Sequence, residues 1–139
     1  MATVEEIYKK HKPQAFSAER NPSSFEVWSW FFMRLSGIVL VFLVLIHLYV
    51  MHLVGEGVER VNFEFVSQRW ASVGWKTFDW LMLFLALLHG ANGLRIVIDD
   101  YVRTSGIRTT LKASLYSVTG ILMIMGTAVL VTFDPSRAG

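Results

Sequence analysis

No cysteine occurs anywhere in the 139 residues. That absence excludes disulfides, thiolate-held iron–sulfur clusters and the C-x-x-C-H attachment of a covalently bound haem within this chain. Any iron held here must be held by histidine, of which there are four. Charge is scarce as well: 17% of residues are charged and the formal net charge is only +2. So small an excess implies no nucleic-acid partner. No internal repeat or low-complexity tract is visible. A cleavable signal is not expected, because the charged start (Glu5, Glu6, Lys9, Lys10, Lys12) lies too far from the first apolar run. The acidic residues in that start also argue against a transit peptide. What remains is apolar: 53% of residues, with a mean hydropathy of +0.45. This balance fits a membrane protein of a few spans better than a small soluble domain.

Hydropathy along the chain predicts an all-α membrane protein with three transmembrane helices and a short interfacial helix in the first loop. Residues 1–28 form a polar N-terminal segment with one short helix near residues 4–10. Residues 25–30 look interfacial, since Trp28 and Trp30 suit the headgroup level. The first span covers 29–54. The loop 55–76 is broken by Gly55, Gly57 and Gly74, and its stretch Phe63–Trp70 has the apolar spacing of a helix lying flat on the membrane. The second span covers 77–101, a polar turn 102–110, the third span 111–133 and a tail 134–139. Small residues in the third span (Ser114, Ser117, Gly120, Gly126, Thr127) allow close helix packing. Lys9, Lys10, Lys12 and Arg20 precede the first span, and Arg103, Arg108 and Lys112 follow the second. Arg60, Arg69 and Lys76 are spread over a longer loop, so the bias of positive charge predicts a cytoplasmic N-terminus and an external loop and tail.

The second span carries the candidate chemistry. At 100° per residue Asp100 returns to within about 20° of His89, about 16 Å along the axis. Ala86, Gly90, Gly93 and Val97 fall on or beside that face. An imidazole, a strip of nearly bare backbone and a terminal carboxylate therefore line up. A flat prosthetic group could lie against the strip and be held by the imidazole. The plainer alternative is a neutral imidazole bonded to a neighbouring helix, with glycines that serve only helix packing. Arg34, about one turn into the first span and so expected near the cytoplasmic face with His89 near mid-membrane, either snorkels to the headgroups or supplies a cation for haem propionates or a quinone oxygen. An ionisable group inside a span costs about 2.5–3.5 kcal/mol on insertion scales, so each needs a reason. Asp99 and Asp100 end the helix in charge, and Tyr101 could be an aromatic-belt residue. Asp100 and Tyr101 together also offer what quinone chemistry needs, a phenol for a carbonyl oxygen and a route for protons. His47 lies about 140° round the first helix from Arg34 and is a candidate second haem ligand. His52 falls at the outer surface.

These residues resemble a known family. Arg34-x-x-x-Ile-Val-Leu in span one, a loop with an aromatic amphipathic piece, and Leu-Leu-His89 followed at eleven and twelve residues by Asp100-Tyr101 resemble the smaller hydrophobic membrane anchor of succinate dehydrogenase, respiratory complex II. The likeness covers roughly residues 28–105; the third span agrees in length and position only. The spacing from His89 to Asp100-Tyr101 is its specific part. The resemblance implies a four-subunit enzyme of a bacterial plasma membrane, in which a flavoprotein oxidises succinate and an iron–sulfur subunit carries the electrons. Two three-helix anchors, this one and the cytochrome b subunit, then share a b-type haem and a quinone site. It implies His89 as one axial ligand of the haem iron, Arg34 at a propionate, and Tyr101 with Asp100 at a quinone, either ubiquinone or menaquinone. Arg34-Leu-Ser36-Gly37 also matches a motif of the partner anchor, which carries His before the Arg where this chain has Met33. Ser36 is therefore a further candidate cofactor contact. Two other functions compete: the anchor of a quinol:fumarate reductase, and a haem-free transport or assembly protein whose His89 and Arg34 line a polar path.

Overall fold

The structure, a computed structural model, describes Glu5 and residues 23–55 and 57–134. Apart from Glu5, the short helix expected near residues 4–10 lies outside the described residues. The first long helix, α1, runs Ser24–Leu48. It starts five residues before the expected boundary because Ser23 and Glu26 build a capping box. The Ser23 hydroxyl accepts from the Glu26 amide at 3.2 Å, and the Glu26 carboxylate accepts from the Ser23 amide at 3.1 Å. The aromatic stretch 25–30 is thus the opening of the span itself.

α1 continues into a π-helical turn, Tyr49–Leu53. The wider winding leaves carbonyls without their usual helical donors, and the Arg60 guanidinium donates to the Val50 carbonyl at 2.7 Å. Gly57 then turns the chain at φ +63°, where a Cβ would stand 2.8 Å from the His52 carbonyl oxygen. Only glycine fits that turn. A 3-10 turn, Gly57–Arg60, leads to α2, Phe63–Trp70, whose N-terminus is capped by the Asn62 side chain accepting from the Phe65 amide at 2.9 Å. Two long helices follow, α3 at Val73–Tyr101 and α4 at Ser105–Thr132. Each begins earlier than its hydropathy suggests, and the turn between them shrinks to 102–104.

Three helices are long and apolar enough to cross a membrane: Ser24–Leu53, Val73–Tyr101 and Ser105–Thr132. At 1.5 Å per residue each spans about 45 Å, more than the roughly 30 Å hydrocarbon layer, so their ends reach the headgroup zones. The chain is an all-α, multi-pass membrane protein, with no strand among the described residues.

α3 is the central helix, with α1 and α4 packed against it. Along α1 and α3 the pairs are Ser29 with Asn92, Ser36 with His89 and His47 with Asp79, the falling register of antiparallel helices. α4 meets α3 through Trp80, whose indole N–H donates to the Thr127 hydroxyl at 3.1 Å, and through Gly126 beneath Leu83. At the other end the Lys112 ammonium donates to Asp99 at 2.8 Å. Little apolar surface is enclosed: Ala91, Ile98 and Leu130 are the buried hydrophobic residues among those described. Phe42 and Leu45 of α1 and Ile124 and Val131 of α4 stand open, as suits contact with lipid or other helices. The small residues of α4 divide accordingly. Gly126 and Thr127 serve packing within the chain, whereas Ser114, Ser117 and Gly120 lie on exposed surface.

α2 does more than float on the membrane. Arg69 is only 8% exposed and points inward, where its guanidinium donates to the Asp79 carboxylate at 2.6 Å and to the Met51 sulfur at 2.7 Å. The Trp70 indole N–H donates to the other Asp79 oxygen at 2.8 Å. This clamp ties the first loop to α3 and balances a carboxylate within a span. Trp70→Phe removes one donor to that carboxylate and should destabilise the protein by about 2 kcal/mol. Thermal unfolding in detergent measures it; an unmoved midpoint would show that the carboxylate is satisfied by water.

Candidate functional site

His89 sits near the middle of α3 and turns its ring toward α1. Its Nδ1 lies 2.9 Å from Ser36 Oγ, and the same hydroxyl donates to the Phe32 carbonyl at 2.6 Å. Ser36 is only 3% exposed, so no water competes for this contact. The ring edge lies close to α1 at Gly37, where a Cβ would stand 3.4 Å from His89 Cε1, an ordinary van der Waals distance. The imidazole is therefore bonded to a neighbouring helix, as the plainer reading of the sequence held, but through one nitrogen only. Ser36 is its one hydrogen-bond partner among the described residues, and Nε2 has none.

The small-residue strip beside His89 is used in two ways. Gly93 is covered by α1, since a Cβ there would meet the Met33 methyl at 3.5 Å. Ala86 and Gly90 are exposed, and a Cβ at Gly90 would meet nothing within 4 Å. A flat surface of near-bare backbone thus stays open beside the imidazole. A planar macrocycle fits this pairing of an unbonded ring nitrogen and open backbone. Among the described residues no three His, Cys, Asp or Glu gather into a group that could hold a metal ion.

The remaining candidates are spread along the spans. Arg34 is exposed, stacks over the Trp30 ring at 3.6 Å and donates to the Trp30 carbonyl at 3.2 Å. It takes part in no ion pair among the described residues. Arg34 is two residues, or about 3 Å of helix, from Ser36, so it lies near the level of His89 and not of Asp100-Tyr101. The earlier start of α1 moves it inward from the membrane face where hydropathy placed it. It also points about 160° away from Ser36 around α1, so this chain alone does not bring it to His89. Asp100 and Tyr101 close α3 without hydrogen-bond partners among the described residues, and Tyr101 is 82% exposed. Asp99, not Asp100, makes the ion pair with Lys112.

His47 faces Asp79, with Nδ1 at 3.7 Å from the carboxylate and no hydrogen bond of its own. It borders an apolar groove of about 540 Å³ between α3 and α4. His52 is exposed on the π-helical turn. Sequence reasoning passed over a second polar group, nearer the Asp100 end. The Asn92 amide donates to Ser29 Oγ at 2.8 Å, and Arg95 donates to Asn92 Oδ1 at 3.1 Å while lying over the Phe25 ring. Asn92 and Arg95, three residues apart in an apolar helix, were a signal, because each is costly there without a partner. The same holds for Asp79.

Comparison with known proteins bears on all three spans at once. A family model described as succinate dehydrogenase/fumarate reductase transmembrane subunit matches residues 10–133. No curated protein matches the chain significantly.

Proposed function

This chain belongs to the family of succinate dehydrogenase/fumarate reductase transmembrane subunits, and from that membership we propose that it anchors a succinate dehydrogenase, binds haem b through His89 and helps form the quinone-reduction site. The observation that carries the haem assignment is the state of His89. Its Nδ1 is engaged by Ser36 while Nε2 has no hydrogen-bond partner among the described residues, and Ala86 and Gly90 of the same helix stand exposed. Metal-binding histidines are held in this manner, one nitrogen tied to the protein and the other turned to the metal.

Bound there, a haem supplies a one-electron relay between an iron–sulfur subunit and a quinone. The protein's own residues do the rest. Arg34, an exposed cation with no carboxylate partner among the described residues, lies at the depth of His89 but on the far side of α1 from it, so it would meet a propionate only where the partner anchor brings one to that side. Tyr101 offers a phenol whose hydrogen bond strengthens as charge grows on a quinone oxygen, and Asp100 beside it can pass protons. The N-terminus is cytoplasmic in this reading, in a bacterial plasma membrane, with flavoprotein and iron–sulfur subunits docked at the Asp100 end. The second anchor, the cytochrome b subunit, would cover the open faces of α1 and α4 and supply a further ligand to the iron.

The same residues would serve a quinol:fumarate reductase, since direction depends on the potentials of haem and quinone. Purification through a tag on this chain tests the anchor assignment. Expected are a flavoprotein, an iron–sulfur protein and a second three-span subunit in equal amounts, with succinate:quinone reductase activity. A chain that purifies alone and without such activity would refute it.

A further inference from the structure

We propose that Ser36 is a positioning residue that sets the proton of His89 on Nδ1 and thereby keeps Nε2 as the free lone pair that an iron needs. The inference rests on reading His89 as a haem ligand. It begins with the single hydrogen of a serine hydroxyl. Phe32, one turn earlier on α1, places its carbonyl 2.6 Å from Ser36 Oγ, and a carbonyl can only accept. The hydroxyl hydrogen is therefore spent on Phe32. Toward His89 Nδ1, at 2.9 Å, the oxygen has lone pairs alone, so the ring must be the donor. The opposite arrangement would press the hydroxyl oxygen against the Phe32 carbonyl with no hydrogen between them, at a site closed to water.

Two further effects follow from the same geometry. Donation to Phe32 polarises the hydroxyl and makes it a better acceptor for the imidazole N–H. An N–H bonded in this way leaves the ring more electron-rich and a stronger ligand for oxidised iron. The Cε1 edge also lies close to α1 at Gly37, next in sequence, so the ring is held in angle as well as tautomer. Ser36 therefore acts on the haem through His89 and needs no contact with it.

The test uses the whole purified complex with Ser36→Ala and Ser36→Thr, read by haem-to-flavin ratio, midpoint potential and the electron paramagnetic resonance of the ferric haem. In Ser36→Ala we expect about tenfold weaker haem retention, a raised midpoint potential and altered g values, because the ring loses its acceptor and its fixed angle. Ser36→Thr keeps the hydroxyl and should restore all three. Should Ser36→Ala fail to assemble, Ser36→Cys offers a near-isosteric but poor acceptor, with the same direction of shift expected. An alanine variant, or in its place a cysteine variant, with the wild-type potential and g values overturns the role of Ser36 and leaves His89 standing as ligand. A wild-type complex without haem, or a His89→Ala complex that keeps its spectrum, overturns the ligand reading itself and this inference with it.

Discussion

Tyr101→Phe should lower succinate:quinone reductase activity about a hundredfold while succinate:dye activity in the same preparation is unchanged. The phenol ends α3 where a quinone head can enter from the membrane edge. Within the chain it is 82% exposed and bonds to nothing among the described residues, so removing its oxygen breaks no internal contact. Assembly and haem content should therefore be those of the wild type. What would be lost, on the proposed role, is a donor to a quinone oxygen that gains negative charge during reduction, worth about 3 kcal/mol in a dry site. Water in the site would reduce that energy by about half and the effect to about tenfold. An unaltered ratio of the two activities would make Tyr101 an aromatic-belt residue and place the quinone elsewhere.

His89→Ala should remove or convert the b-type haem signal while the complex still assembles and oxidises succinate with a soluble dye. The two halves of that expectation come from the two nitrogens. Nε2 makes no hydrogen bond among the described residues, so its loss leaves no buried partner unsatisfied. Nδ1 makes one hydrogen bond, worth about 1 kcal/mol net, and Ser36 keeps the Phe32 carbonyl as its partner when the ring is gone. Alanine is also well suited to a helix interior. Fold and haem thus separate cleanly at this residue. His47→Ala is the contrast: its ring faces Asp79 on the far half of α1, and at least one haem should survive its removal.

The spans were legible because a membrane helix needs a long apolar run and little else, and three such runs stand out. Their ends were not. The Ser23–Glu26 capping box lies in sequence that reads as polar and interfacial, so α1 was expected to start at 29 and Arg34 to lie near the surface. The π-helical turn at Tyr49–Leu53 has no signature in residue type. Helical periodicity placed Ala86, Gly90 and His89 on one face, yet it could not say that Ser36, 53 residues earlier, would meet the ring. That pairing depends on the register of two antiparallel helices, a property of packing. Arg69 shows a different gap. As a loop cation it counts toward topology, whereas in the fold it is neutralised by Asp79 and turned away from solvent. Asp99 and Asp100 are indistinguishable as letters; the position of Lys112 on α4 engages one and leaves the other open.

The claim on which the others depend is that His89 holds a haem fed by succinate. The direct measurement is the reduced-minus-oxidised visible spectrum of the complex purified through this chain, recorded after adding succinate. Expected is a b-type haem band that appears with succinate in the wild type and is absent or converted in an assembled His89→Ala complex. A wild-type complex with no such band, or a mutant complex that retains it unchanged, would contradict the assignment.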